Sequence, residues 1–280
     1  MLKSRVITAI VMLVLFLSAL FMLPSWAWSV LVLAMVLQGA SEWSRMSELT
    51  PKGAKLYWGA TLILMVGILV LDANSTHEQQ TTTHLIAYLL SGVLWLIVVP
   101  PWLMMGWKVK QPLLMALIGW MLLIPTGLAM IDLREAVPAP WMLLGVMGLV
   151  WVADSAAYFA GRKFGKTKLA PSISPGKTWE GLWGGVLASS LIGGVGMVLL
   201  AKENPGLEKM MLPPLANGLI AGAVFAVLGQ IGDLIMSLFK RDAGLKDSGR
   251  LLPGFGGVLD VLDSPLLVAP AAYWWLQLGL

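Results

Sequence analysis

Three aspartates in the last fifth of the chain, Asp233, Asp260 and Asp263, are the side chains best suited to do chemistry. Asp233 interrupts a long apolar run, in Gly232-Asp233-Leu234. A carboxylate at such depth costs about 2.5–3.5 kcal/mol on insertion scales, so it needs a cation or a donor. Ser237 follows one helical turn later, and Lys240 and Arg241 one turn after that, so a helix places all four on one face. Asp260 and Asp263 are three residues apart and would also share a face. Three carboxylates beside basic side chains offer hard oxygen ligands to a divalent cation, and substrate phosphates can complete its shell. The same spacing also suits a plainer arrangement, in which Asp260 and Asp263 cap the last helix and Asp233 pairs with Lys240.

A second group of polar residues lies upstream: Asp154-Ser155, then Gly165-Lys166-Thr167, then Ser174-Pro175-Gly176-Lys177-Thr178-Trp179-Glu180-Gly181. Glycine lets backbone approach an anion, and lysine and threonine supply donors, which suits phosphate. Neither Gly-Lys-Thr triplet is a P-loop, because the glycine required five residues earlier is Ala160 in one case and Pro171 in the other. The alternative is a basic loop that only fixes topology.

The elements that must hold these residues are membrane helices. Of 280 residues, 58% are hydrophobic and 12% charged, and the mean hydropathy is +0.81. Soluble domains carry roughly twice that share of charge, and disordered chains are far less apolar. Absence of cysteine excludes disulfides, thiolate metal sites and a cysteine nucleophile. The apolar runs predict an all-α polytopic protein with nine spans, near 6–23, 26–40, 57–71, 85–107, 112–131, 140–153, 181–201, 214–236 and 265–280. They are rich in Leu, Met and Ala without period-two alternation, so membrane strands are not expected. With this division only Arg134, Lys202 and Lys209 of the 19 basic residues fall on one side, and the other 16 fall on the opposite side. The positive-inside rule makes that side cytoplasmic, together with the N-terminus. The opening Met1-Leu2-Lys3-Ser4-Arg5 is read as the start of a retained span, since Ser25-Trp26-Ala27-Trp28 lacks a small-x-small cleavage site. Residues 1–135 form an N-terminal group of about five spans. Residues 136–280 form a C-terminal region that carries the polar loops 154–180 and 237–264, both cytoplasmic. His77 and His84 read as solvated residues of an external loop.

Taken together, Ser237-Leu238-Phe239-Lys240-Arg241, Lys246-Asp247-Ser248-Gly249, Leu252-Pro253-Gly254, Gly256-Gly257 and Asp260 with Asp263 resemble the C-terminal signature of phosphatidate cytidylyltransferases, the CDP-diacylglycerol synthases. The upstream segments from Asp154-Ser155 to Gly181, the opening Met1-Leu2-Lys3-x-Arg5 and Glu42-Trp43 are similar to that family as well. The resemblance covers essentially the whole chain. It implies transfer of a cytidylyl group from CTP to phosphatidate, giving CDP-diacylglycerol and pyrophosphate in phospholipid biosynthesis. It implies Mg²⁺ held by Asp233, Asp260 and Asp263, and K⁺ as a second cation. Lys240 and Arg241 join the aspartates as catalytic residues. Ser174, Gly176, Lys177, Thr178, Ser237, Lys246, Asp247 and Ser248 are implied as the substrate-binding set.

The chain departs from the family pattern at Met236, Phe255 and Val261, where Glu, His and Arg are usual. Each change replaces a polar group by an apolar one, and a missing Arg removes a bidentate phosphate donor. A catalytically degenerate relative that binds lipid or nucleotide without turnover is therefore the alternative. A transporter would call for an inverted repeat, and none is visible. A CDP-alcohol phosphotransferase would need an Asp-Gly-x-x-Ala-Arg run, which the sequence lacks. The expected partners are CTP, phosphatidate and membrane lipid, with no nucleic acid; a homodimer is compatible with the sequence. The expected site is a bacterial-type cytoplasmic membrane, with the chemistry on its inner face.

Overall fold

The computed structural model describes residues 2–105, 109 and 111–279. Lys108 and Lys110, which belong to the 16 basic residues counted above, and the side chains of Lys3, Arg5, His77 and Lys209 lie outside the described residues. The chain forms two compact units and visits each of them twice. The first comprises Met1–Ile131 and Leu238–Asp263, the second Asp132–Ser237 and Ser264–Leu280.

The first unit contains α1 (Leu2–Met22), α2 (Ser25–Met46), α3 (Pro51–Ala73), α4 (His77–Val93), a π-helical turn (Leu94–Val98), α5 (Val99–Met105) and most of α6 (Pro112–Glu135). Thr50 starts α3 by accepting the Gly53 N–H at 3.1 Å, with Pro51 at the first helical position where its missing N–H costs nothing. Tryptophans tie this unit together. Trp28 Nε1 donates to the Met130 carbonyl at 3.1 Å, Trp43 Nε1 to the Met115 carbonyl at 2.7 Å, and Trp120 Nε1 to Thr61 Oγ1 at 2.9 Å. Trp28 and Trp43 are fully buried and Trp120 half-buried, and the one polar atom of each stays satisfied.

The second unit contains α7 (Trp141–Phe164), a two-stranded antiparallel hairpin of β1 (Lys168–Ala170) and β2 (Ser174–Thr178), α8 (Trp179–Glu203), a short 3₁₀ turn (Pro205–Lys209) and α11 (Pro265–Gln277). The long helix α9 (Pro214–Asp242) begins in this unit and ends in the first, where the four-residue α10 (Leu259–Leu262) follows. α7 and α8 lie close enough that a Cβ at Gly181 would stand 2.8 Å from the Ala157 carbonyl, and one at Gly185 would stand 2.7 Å from that of Ala153. Small residues bring two backbones together in this way where lipid gives no hydrophobic drive.

Among the described residues, six helical segments are long and apolar enough to cross a membrane: Pro51–Ala73, Gln80–Trp102, Pro112–Glu135, Trp141–Phe164, Trp179–Glu203 and Pro214–Asp242. The chain is thus an all-α polytopic membrane protein, as its composition demands. Two local features differ from the sequence reading. The sixth expected span does not stop at residue 153 but runs to Phe164, because Ala156, Ala157 and Ala160 favour helix and pack on the glycines of α8. The loop after it is shorter than expected and is a hairpin, with Lys168 opposite Thr178 and Ala170 opposite Ser174.

That hairpin delivers the start of α8. Thr178 Oγ1 accepts the Gly181 N–H at 3.1 Å, and Glu180 accepts the Thr167 N–H at 3.1 Å. Thr178→Ala is expected to destabilise the unit by about 1 kcal/mol through the lost cap. Thermal unfolding in detergent, compared with Thr178→Ser, measures it; Ser should behave as wild type.

Candidate functional site

Each unit organises its own set of the predicted residues. In the second unit, β2 carries Ser174, Gly176, Lys177 and Thr178. Along the strand Pro175 and Gly176 are exposed, and Lys177 is half-buried. Lys177 Nζ reaches Asp233 Oδ2 at 2.6 Å. The contact is a close ion pair without hydrogen-bond alignment, so the buried ammonium has no well-directed acceptor. Asp233 lies in α9, and Ser237 one turn on donates to its Oδ1 at 3.3 Å, as the spacing predicted. Asp154 of α7 accepts Gln230 Nε2 at 3.4 Å and Ser264 Oγ at 3.4 Å. It also lies within coulombic reach of Asp233 and Lys177. Two carboxylates around one ammonium, lined by an amide and hydroxyls, make a polar centre between apolar helices.

In the first unit the centre is Asp260. Its Oδ1 receives Lys240 Nζ at 2.7 Å. Its Oδ2 accepts the Ser248 N–H at 2.7 Å, Ser248 Oγ at 2.9 Å and the Gly257 N–H at 2.8 Å. Burial alone would raise the Asp260 pKa. The Gly257 N–H, Lys240 and Ser248 outweigh it and hold the carboxyl below the usual carboxylate range. Gly256 has φ +101°, a conformation side chains avoid, and a Cβ there would collide with the Asp260 carboxylate. Phe239 on the last turns of α9 is held edge-on by Trp43 and Trp102, both with ring centroids 5.2 Å away. That sandwich fixes where Lys240 emerges.

The other predicted residues are distributed as follows. Arg241 is exposed and donates to the Leu245 carbonyl at 3.2 Å. Lys246 and Asp247 are exposed on the loop after α9, whereas Ser248 is buried, with its hydroxyl shared between carboxylates. Asp263 ends α10. Asp233 belongs to the second unit, and Asp260 and Asp263 to the first. Among the described residues no three His, Asp or Glu side chains converge within one metal-binding group. Of the three departures, Met236 is fully buried and Phe255 is 38% exposed on the turn closed by the Leu252–Gly256 bridge.

The family resemblance includes Glu42-Trp43 of α2 but gives Glu42 no role, and Arg45, Gln230 and Ser264 are not singled out. Glu42 is completely buried and contacts the signature loop, and Arg45 Nη2 donates to the Ser248 carbonyl at 2.8 Å. An acid and a base within an apolar helix were the available signal, but the partners lie about two hundred positions away in sequence.

The chain matches the cytidylyltransferase family over residues 3–278. It is 34% identical over 290 residues to a phosphatidate cytidylyltransferase of Haemophilus influenzae, covering 96% of each chain. It is 35% identical over 284 residues to a protein of the same name from Pseudomonas aeruginosa, covering 98% of this chain and 97% of the relative. A Bacillus subtilis phosphatidate cytidylyltransferase matches a shorter stretch, 38% identical over 130 residues, or 46% of this chain. A match of this length takes in both units, the hairpin and the signature loop, and the polytopic protein described here is a member of the cytidylyltransferase family.

Proposed function

We propose that this chain transfers the cytidylyl group of CTP to phosphatidate, releasing pyrophosphate and forming CDP-diacylglycerol. The observation that carries this reading is the near-full-length likeness to relatives bearing that activity in their names. Phosphatidate is already an oxyanion near neutral pH, so no strong base is required. One of its oxygens attacks the α-phosphorus of CTP in line, a P–O bond forms, and the bond to the β-phosphate oxygen breaks. The protein must hold two anions together against their repulsion, which is electrostatic and positional work. Lys177, Lys240, Arg241 and Lys246 supply positive charge. Ser174 and the exposed backbone at Gly176 suit a phosphate contact, with Thr178, Ser237 and Asp247 completing the binding set; Ser248, buried between two carboxylates, serves the set by holding the loop.

Asp233, Asp260 and Asp263 suit Mg²⁺ by donor type, being hard oxygen ligands, with K⁺ as a second cation. Asp260 fits only in part, because its Oδ2 already accepts two backbone N–H groups and shares the Ser248 hydroxyl with Glu42, and Oδ1 alone, beside Lys240, has capacity left. The metal would supply charge neutralisation on the polyphosphate. Nine spans with the basic loops inward would place the reaction at the inner face of a bacterial cytoplasmic membrane, within reach of both soluble CTP and a lipid headgroup.

The test is an assay of purified wild-type protein with CTP, phosphatidate and Mg²⁺, following pyrophosphate and CDP-diacylglycerol. Stoichiometric formation of both is expected, with Asp263→Asn at least about tenfold slower. Binding of CTP or phosphatidate without pyrophosphate release would overturn the reading.

A further inference from the structure

Glu42 of α2 is a carboxylate with no exposed surface, and four donors converge on it. Oε1 accepts the Val258 N–H at 2.9 Å and Gln38 Nε2 at 3.0 Å. Oε2 accepts the Leu259 N–H at 2.9 Å and Ser248 Oγ at 2.7 Å. Both oxygens are thus fully used, and every contact lies within the first unit. Burying a carboxylate is costly unless its acceptors are all engaged. Here three of the four donors, Ser248, Val258 and Leu259, belong to the signature loop, and the fourth, Gln38, stands one turn earlier on α2 itself.

The loop is shaped around this group. A Cβ at Gly249 would stand 2.8 Å from Glu42 Oε1, and one at Gly257 would collide with Oε2 and with Ser248 Oγ. The Ser-Gly and Gly-Gly pairs of the signature are therefore small where the Glu42 carboxylate meets them. Val258 offers no side-chain cap to α10, and Glu42 satisfies the N–H groups there instead. Ser248 has one hydroxyl proton and stands between Glu42 Oε2 and Asp260 Oδ2, so the two carboxylates grip the loop from both sides.

We propose that Glu42 is a positioning residue for cytidylyl transfer: from α2 it fixes Ser248 and the residue 257–259 backbone, and through them the placement of Lys246, Asp247 and Asp260. The proposal rests on the reaction assigned above. Glutamine cannot replace it, because whichever way the amide is turned its NH₂ faces a backbone N–H, of Val258 or of Leu259. Aspartate keeps the charge but falls one methylene short.

The experiment compares wild type, Glu42→Gln and Glu42→Asp, with kcat and KM for CTP per folded molecule. Trypsin cleavage is followed after Lys246 and Arg250, both exposed, with Lys166 as the reference site. The expected result is a loss in kcat/KM on the order of 10²-fold for Glu42→Gln, as for a small misplacement of reacting groups. Glu42→Asp should lose less. Cleavage at Lys246 and Arg250 should quicken while cleavage at Lys166 is unchanged. Should Glu42→Gln not accumulate, Gln38→Met removes one of the four donors and is expected to lower kcat/KM several-fold. Constants within twofold of wild type in a folded Glu42→Gln protein, or in Gln38→Met where the former cannot be made, overturn the proposal. So does lower thermal stability with unchanged constants per folded molecule, which marks a purely structural role. If wild type fails to turn over, the assigned reaction is what falls, and unchanged trypsin cleavage in Glu42→Gln would independently overturn the anchoring.

Discussion

Asp260→Asn should lower cytidylyl transfer by on the order of 10³-fold and destabilise the first unit by about 3–5 kcal/mol, the range for removing one partner of a buried ion pair. Both effects come from the same atoms. The side chains of Lys240 and Asp260 are only 10% and 7% exposed, so the substitution strands a buried ammonium. The asparagine also turns an NH₂ either toward Lys240 or toward the Ser248 and Gly257 N–H groups, where only an acceptor fits. Turnover in reconstituted vesicles and thermal unfolding in detergent measure the two losses. The stability loss has a defined pH dependence. The folded Asp260 carboxyl is held below its unfolded value, near 3.9 for a free aspartate. Its contribution is therefore complete above that value and disappears as pH falls through the lower folded one. The gap between wild type and Asp260→Asn should stay constant from pH 7 to about 4 and close only below. A gap that closes between pH 7 and 5 would contradict the geometry.

The second large effect concerns Lys177 and Asp233. Either Asp233→Asn or Lys177→Met should reduce activity by about 10²–10³-fold, because each removes charge from the centre of the second unit. Their stability effects should separate from this. The pair is partly buried, with side chains 16% and 30% exposed, so each single change should cost about 1–3 kcal/mol, between surface and buried pairs. The double variant should regain most of that stability, since no uncompensated charge remains, yet stay as inactive as the single ones. A double-mutant cycle read in both unfolding and turnover checks this. Recovery of activity in the double variant would show that the pair serves structure alone.

Met236, Phe255 and Val261 bear on neither effect. Met236 fills fully buried space. None of the three touches the Asp260 hydrogen bonds, which are made by Lys240, Ser248 and Gly257. Nothing in the fold or in the relatives favours a degenerate protein.

Much of this protein was legible in the sequence because it obeys local rules. Charge scarcity and apolar runs dictate membrane helices, since backbone in hydrocarbon must satisfy itself. The four-residue step from Asp233 to Ser237 predicted a shared helix face, and the two do hydrogen-bond. Within residues 237–264 the fold joins Lys240, Ser248 and Asp260 by hydrogen bonds. What spacing could not decide is which distant group each polar residue meets. Lys240 was a candidate partner for Asp233 on the same helix; it pairs with Asp260, and Lys177 takes Asp233 from a hairpin 56 positions upstream. The hairpin is not legible in the sequence because four of the five residues of its second strand, Ser, Pro, Gly and Lys, do not favour strand, and it exists through its pairing. Glu42 was visible as an acid in an apolar helix, but its meaning depends on Ser248, Val258 and Leu259, some two hundred residues on. A buried polar group is defined by its partners, and in this protein tertiary folding alone brings them to it.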